Sequence, residues 1–181
     1  MSEDELLSII RGVESRVTPS AALEELLGRF YELILRIAMV EFREREIAMD
    51  CTQEVMLRAA RTIHRFRGDS KFSTWLVGIE RHVIRELKRT RREVVDVIAQ
   101  ENVGGKTPTT KTELHAEFSF LLHELRLLPE RQRQVITLFY LEDFPIPQIA
   151  EALRCSQSAV KTHLSRGRET LRAALELYRK Q

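Results

Sequence analysis

Apolar residues recur every three to four positions along almost the whole chain, and that period breaks once, over NVGGKTPTTKT at Asn102–Thr112. A repeat near 3.6 predicts helices that each bury one face. The interrupting stretch holds two glycines, a proline and four threonines with no periodicity, the composition of a flexible connection. The pattern therefore predicts an all-α chain of two small helical domains, residues 1–92 and 114–181, joined by a linker over 93–113.

Before the break, Leu23, Leu26, Leu27, Phe30, Leu33, Ile34, Ile37 and Val40 predict an amphipathic helix over Ala21–Glu44. A second is expected over about Ile47–Phe66, with Ile47, Cys51, Val55, Ala59, Ile63 and Phe66 as its stripe. A third is expected over about Ser73–Arg92, with Phe72, Leu76, Ile79, Val83 and Leu87 on one side. Beyond the break, Leu114 to Leu128 predict a helix stopped by Pro129, followed by helices over 130–141, 147–153 and 157–178. Ser156 stands where it can cap the first free N–H groups of the last one.

Composition excludes several classes. Hydrophobic residues form 43% of the 181, enough for packed cores, yet no apolar run approaches the ~18 residues that span a bilayer. The N-terminus, MSEDELLSII, is acidic and lacks the basic-then-apolar order of a signal peptide, so no direct membrane insertion is expected. Cys51 and Cys155 lie far apart, which argues against a disulfide framework or zinc site and fits a reducing cytoplasm. His64, Asp69, His82 and His115 show neither metal-ligand spacing nor pairing with a nucleophile. The chain is expected to be no enzyme, with no metal, cofactor or small-molecule substrate.

A net charge of +2 conceals strong segregation. Residues 1–57 carry 6 basic and 12 acidic side chains, and residues 58–92 carry 11 and 3. Residues 93–130 carry 3 and 7, and residues 131–181 carry 9 and 5. Two basic blocks separated by acidic ones suit two contacts with a polyanion such as DNA, although solvated faces give the same pattern.

Three constellations give the charges a setting. On the second helix, Asp50, Gln53, Glu54, Leu57 and Arg58 share one face, either a solvated surface or a docking face anchored by Leu57. Next comes RFRGDSKFSTWL, Arg65–Leu76, where the only tryptophan and two phenylalanines surround a Gly-Asp-Ser turn among cations. Counting ~100° per residue sets Arg81, His82, Arg85, Lys88, Arg89 and Arg92 opposite the apolar stripe of the third helix, with Trp75 at the border. Phe66 and Phe72 read as core, and Trp75 fits a core or a stacking role. A basic surface with a stacking aromatic is how single-stranded nucleic acid is held.

The third constellation is IAEALRCSQSAVKTHLSRGR, Ile149–Arg168, which has the form of a helix-turn-helix. Small Ala150 suits a close helix crossing that Val160 fills from the other side. Ser158, Lys161, Thr162, Ser165, Arg166 and Arg168 face outward and can meet base edges and phosphates in a major groove. A helical hairpin with a basic solvated face is the plainer alternative. Arg154 stands at the turn position where glycine is common.

Two of these segments resemble one family. DCTQEVMLRAARTIHRFRGDSKFSTWLVGIERHVI looks like the second region of bacterial sigma factors, where Asp-x-x-Gln-Glu leads into a Phe-x-Thr-Trp-Leu helix. LPERQRQVITLFYLEDFPIPQIAEALRCSQSAVKTHLSRGRETLR looks like their fourth region, with its Leu-Pro-x-x-x-Arg opening and Val-Lys helix. The short connection resembles the extracytoplasmic-function branch of the sigma-70 family. This resemblance implies that Asp50, Gln53, Glu54, Leu57 and Arg58 dock on core RNA polymerase. It implies that Arg67, Asp69, Ser70, Lys71, Trp75, Arg81, His82 and Arg85 meet the unpaired promoter −10 element. It assigns Ser158, Lys161, Thr162, Ser165, Arg166 and Arg168 to the duplex −35 element, and it implies an anti-sigma factor as regulator. The chain departs from the family pattern at Glu80-Arg81-His82, at Pro145 and Pro147, and at Ala159. The rival readings are a helix-turn-helix regulator acting on duplex DNA alone, a decoy that binds only a regulator protein, and an enzyme.

Overall fold

The computed structural model describes residues 1–98 and 113–179, and the chain divides into two compact units, Met1–Val83 and Ile84–Gln181. All regular structure among the described residues is helical.

The N-terminal unit begins with a helix the apolar period did not announce, α1 over Glu3–Ile10. Its signal is a capping box. The Ser2 hydroxyl accepts the Glu5 N–H at 3.1 Å while the Ser2 N–H donates to Glu5 Oε2 at 2.6 Å, so two orphan donors are satisfied reciprocally. The bond from the Ser2 N–H to the carboxylate is the main cause that lowers the pKa of the Glu5 carboxyl. Leu6, Leu7 and Ile9 are buried. Helix α2, Pro19–Glu41, starts on a Thr18 cap with proline in its first turn, where the missing N–H is no loss. Helix α3 spans Arg45–Thr62 and ends in a 3₁₀ turn, Ile63–Arg65. Its buried side is Ala48, Cys51, Thr52, Val55 and Ala59, mostly small residues that let α2 pack closely. Helix α4 covers Phe72–Ile98.

The C-terminal unit contains α5 over Glu113–Leu127, α6 over Glu130–Ile136, α7 over Ile146–Leu153 and α8 over Gln157–Tyr178. Helix α6 runs into a π-helical turn, Thr137–Leu141, so the single helix expected over 130–141 changes its winding midway. The Leu-Pro-x-x-x-Arg motif has a mechanical role here. Arg133 is buried, and its Nη1 donates to the carbonyls of Arg126 and Leu128, both at 3.0 Å, closing the end of α5. Arg131 Nη1 reaches the Leu153 carbonyl at 3.2 Å and ties α6 to the end of α7. Gly167 sits where α8 crosses α6, and a Cβ there would stand 2.9 Å from Ile136 Cγ1.

Two expected boundaries move. Helix α4 continues through Ile98, so the connection does not begin at 93, and the division between units falls within that helix. The rest of the expected linker, residues 99–112, lies outside the described residues.

Candidate nucleic-acid and protein interfaces

Helix α3 presents the first candidate surface. Asp50 and Gln53 are exposed, and Leu57 is 52% exposed although it is a large apolar side chain. Glu54 and Arg58 are half-buried and joined by an ion pair, with Arg58 Nε donating to Glu54 Oε1 at 2.6 Å. The pair flanks Leu57 on this face. At one helical turn's separation and with water on one side it contributes about 0.3–0.5 kcal/mol.

The loop between the 3₁₀ turn and α4 is the second. Arg67, Asp69 and Lys71 are exposed, Ser70 is half-buried, and Gly68 takes φ 85°, a backbone state that favours glycine. Beneath the loop an aromatic cluster supports both of its ends. Phe72 is fully buried, 5.3 Å from Phe30 and 5.4 Å from Phe66 by ring centroids. Trp75 packs 5.3 Å from both Phe66 and Phe72 and is itself half-buried. Part of the indole thus closes the cluster and part of it faces water.

On α4 the sequence reading needs correction. Arg81, expected on the basic outer face, is 7% exposed, and Glu80 beside it is fully buried. Leu76, Val77, Glu80, Arg81, Val83 and Ile84 are all buried, which centres the inward arc ~80° from the Phe72–Leu76–Val83 line. The outer face is therefore centred near Trp75, Gly78, His82, Arg85, Glu86 and Arg89, with Trp75 half-buried against the aromatic cluster. Arg81 acts from inside, with Nη2 3.3 Å from His82 Nε2. A guanidinium can only donate, so the imidazole nitrogen accepts and its ring is held at the surface.

The helix-turn-helix of the C-terminal unit is as expected. Ala150 and Val160 are buried, and the Cys155 N–H donates to the Ala150 carbonyl at 2.9 Å. Arg154 adopts the left-handed state, φ 51° and ψ 57°, despite its side chain. The Ser156 hydroxyl accepts the Ala159 N–H at 3.1 Å, whereas α7 starts at Pro145 without a side-chain cap. Ser158, Lys161, Thr162, Ser165 and Arg166 are all exposed on α8. Arg168 is exposed too, about 20° from Lys161 around the axis, while its Nε donates to the Leu164 carbonyl at 3.3 Å and the residue edges an apolar groove with Leu121, Tyr140 and Leu175. Glu169 is exposed about 20° from Ser158 around the axis, an acidic neighbour that the search for cations passed over. No cluster among the described residues has the ligands to hold a metal ion, and no described helix is long and apolar enough to cross a membrane.

Comparison with known proteins places these surfaces in context. Residues 26–94 match Sigma-70 region 2, and residues 121–171 match Sigma-70, region 4. The ECF RNA polymerase sigma factor SigW of Bacillus subtilis (strain 168) is 31% identical over 142 residues, 71% of this chain and 75% of that protein. The ECF RNA polymerase sigma-E factor of Escherichia coli (strain K12) is 32% identical over 137 residues, 67% of this chain and 70% of the relative. The sigma factor RpoE of Bartonella quintana, solved in complex with the anti-sigma factor NepR, aligns with a TM-score of 0.73 at 20% identity. That alignment covers 84% of this chain and 96% of the other, and it speaks for the fold.

Proposed function

The chain belongs to the extracytoplasmic-function branch of the sigma-70 family of RNA polymerase sigma factors, and we propose how its surfaces divide promoter recognition among them. The helices up to α4 form the domain for core polymerase and the −10 element, and the helices from α5 onward form the domain for the −35 element.

Core RNA polymerase docks on the α3 face. Leu57 enters an apolar recess, and Asp50, Gln53 and the Glu54–Arg58 pair fix its orientation through directional polar contacts. The helix-turn-helix lays α8 in the major groove of the −35 duplex, where Lys161 and Arg166 meet base edges and Ser158, Thr162 and Ser165 meet bases and phosphates. Strand opening at the −10 element is captured by the loop Arg67–Lys71 with Trp75, His82 and Arg85. Arg67, Lys71 and Arg85 neutralise phosphates, and Asp69 and Ser70 offer hydrogen-bonding groups to an unpaired base. The exposed part of Trp75 supplies a stacking face worth ~1–3 kcal/mol per base. Such contacts exist only after a base has left the duplex, so they favour the opened state over the closed one. The protein catalyses no covalent step, acts in the cytoplasm, and is held in check by an anti-sigma factor that covers these surfaces.

The observation that carries this reading is the outer face of α4, where an aromatic, an imidazole and guanidiniums stand together beside a cationic loop. A regulator reading duplex DNA alone has no use for that arrangement. Run-off transcription with purified core polymerase on a promoter library tests it. The expected result is promoter-specific initiation only when this chain is added, with separate −10 and −35 preferences. Duplex binding without specific initiation would instead identify a duplex-only regulator.

A further inference from the structure

Helix α1 has no part in the contacts proposed so far, yet it ends against the capture loop. A cleft of about 510 Å³ lies between them, bordered by Asp4, Leu7, Arg11, Phe66, Arg67 and Lys71 among others. Arg11 closes α1: its N–H bonds the Leu7 carbonyl at 3.1 Å, and Gly12 at φ 96° then turns the chain away. From that base its guanidinium bridges 55 positions of sequence, with Nη2 donating to the Phe66 carbonyl at 3.2 Å. The same nitrogen lies 3.5 Å from the place a Cβ on Gly68 would occupy. The guanidinium therefore bonds the entrance of the loop and stands beside the open side of its glycine.

Phe66 is the last residue before the loop, and its ring is 6% exposed and packed against Phe72 and Trp75. The loop entrance is gripped twice, by the ring from the core and by Arg11 at the carbonyl from outside. We propose that Arg11 is a positioning residue that sets the loop Arg67–Lys71 in its strand-capturing shape before DNA arrives, an inference that rests on the capture role given to that loop. Gly68 stands at the turn of the loop at φ 85°, and a loop with a glycine there would sample many shapes if it were not held. Ordering it in advance removes that entropy loss from the capture step. Arginine suits the task better than lysine, because a planar fork can donate to one carbonyl while lying flat against the neighbouring backbone.

The test uses holoenzyme carrying Arg11→Ala on two libraries, a pre-melted template randomised over the −10 element and a duplex randomised over the −35 element. Core-polymerase affinity and −35 preference should stay at wild-type levels. Capture of the pre-melted strand should weaken about five-fold, the scale of one lost hydrogen bond, and its base preference should flatten. Arg11→Lys should recover part of the capture, since an ammonium still reaches the Phe66 carbonyl. Lys71→Ala, run in parallel, separates two failures. If Lys71→Ala leaves −10 preference intact, the loop reading falls and the inference with it. If Lys71→Ala flattens that preference and Arg11→Ala does not, the inference alone is overturned. Loss of −35 preference or of core binding in Arg11→Ala also overturns it, because Arg11 would then be a general stabiliser.

Discussion

The two nucleic-acid surfaces are built on opposite principles. In the C-terminal unit every side chain proposed to read DNA stands on one helix, seated by Val160 at 0% exposure and Leu164 at 4%. Once that seam is packed, helix geometry alone sets the spacing of Ser158, Lys161, Thr162, Ser165 and Arg166. Duplex DNA has a fixed groove, so a rigid rod with fixed spacing is sufficient. In the N-terminal unit the surface is composite: a loop, an indole braced by two phenylalanines, and an imidazole held by a buried arginine. Unpaired DNA brings no shape of its own, so the protein must supply one. Burying Glu80 and Arg81 beneath that surface is costly, and only a well-paired arrangement tolerates it, which fixes α4 in one rotation.

The largest expected effect probes the foundation of the composite surface. Phe72 is fully buried at the centre of the aromatic cluster. Phe72→Ala should destabilise the N-terminal unit by about 3–5 kcal/mol in denaturant unfolding, and the capture surface should be lost with it. A loss below ~1 kcal/mol would show that the loop and Trp75 do not depend on this cluster. The rigid surface is sharpened by Arg166→Ala, expected to lower −35-dependent transcription by about 1–3 kcal/mol and to relax preference at particular base pairs. A uniform loss across all sequences, with a shallower salt dependence, would reassign Arg166 to phosphate. The smallest stability effect is expected on the docking face. Gln53→Ala with Glu54→Ala removes an exposed amide and the surface ion pair, so unfolding should shift by less than ~0.5 kcal/mol. Core-polymerase affinity measured by titration should nevertheless fall clearly, and unchanged affinity would remove this face from the account.

The contrast between the two surfaces also explains what could be read from sequence. Helix α8 was legible to its ends, because an apolar seam of Val160, Leu164, Gly167 and Leu171 runs uninterrupted beside a polar face and Ser156 caps it. Helix α4 was legible as a helix but not in its rotation. Glu80 and Arg81 are charged and buried, and Val77 and Ile84 are apolar and buried, so a count limited to Phe72, Leu76 and Val83 finds the wrong centre. Arg81 was misplaced for that reason, whereas Trp75 is half-buried, as a border position implies. Arg168 is exposed as its position beside Lys161 predicts, but its bond to the Leu164 carbonyl and its place at the edge of an apolar groove leave no mark on the sequence pattern. Helix α1 was missed because eight residues give too short a period to detect, although Ser2 and Glu5 carried the capping signal. The hydrogen bond from Arg11 to Phe66, across 55 positions, leaves no mark on local pattern at all.

The central claim is that the composite surface acts after strand separation, and Trp75 tests it most directly. The measurement is promoter opening by holoenzyme carrying Trp75→Ala, on a duplex promoter and on the same promoter pre-melted across the −10 element, alongside thermal unfolding. The account predicts normal core binding, normal closed-complex formation and slow opening of the duplex, with part of the activity restored on the pre-melted template. A sharp drop in melting temperature with no rescue by the pre-melted template would contradict it, leaving Trp75 a core residue and capture to the loop alone.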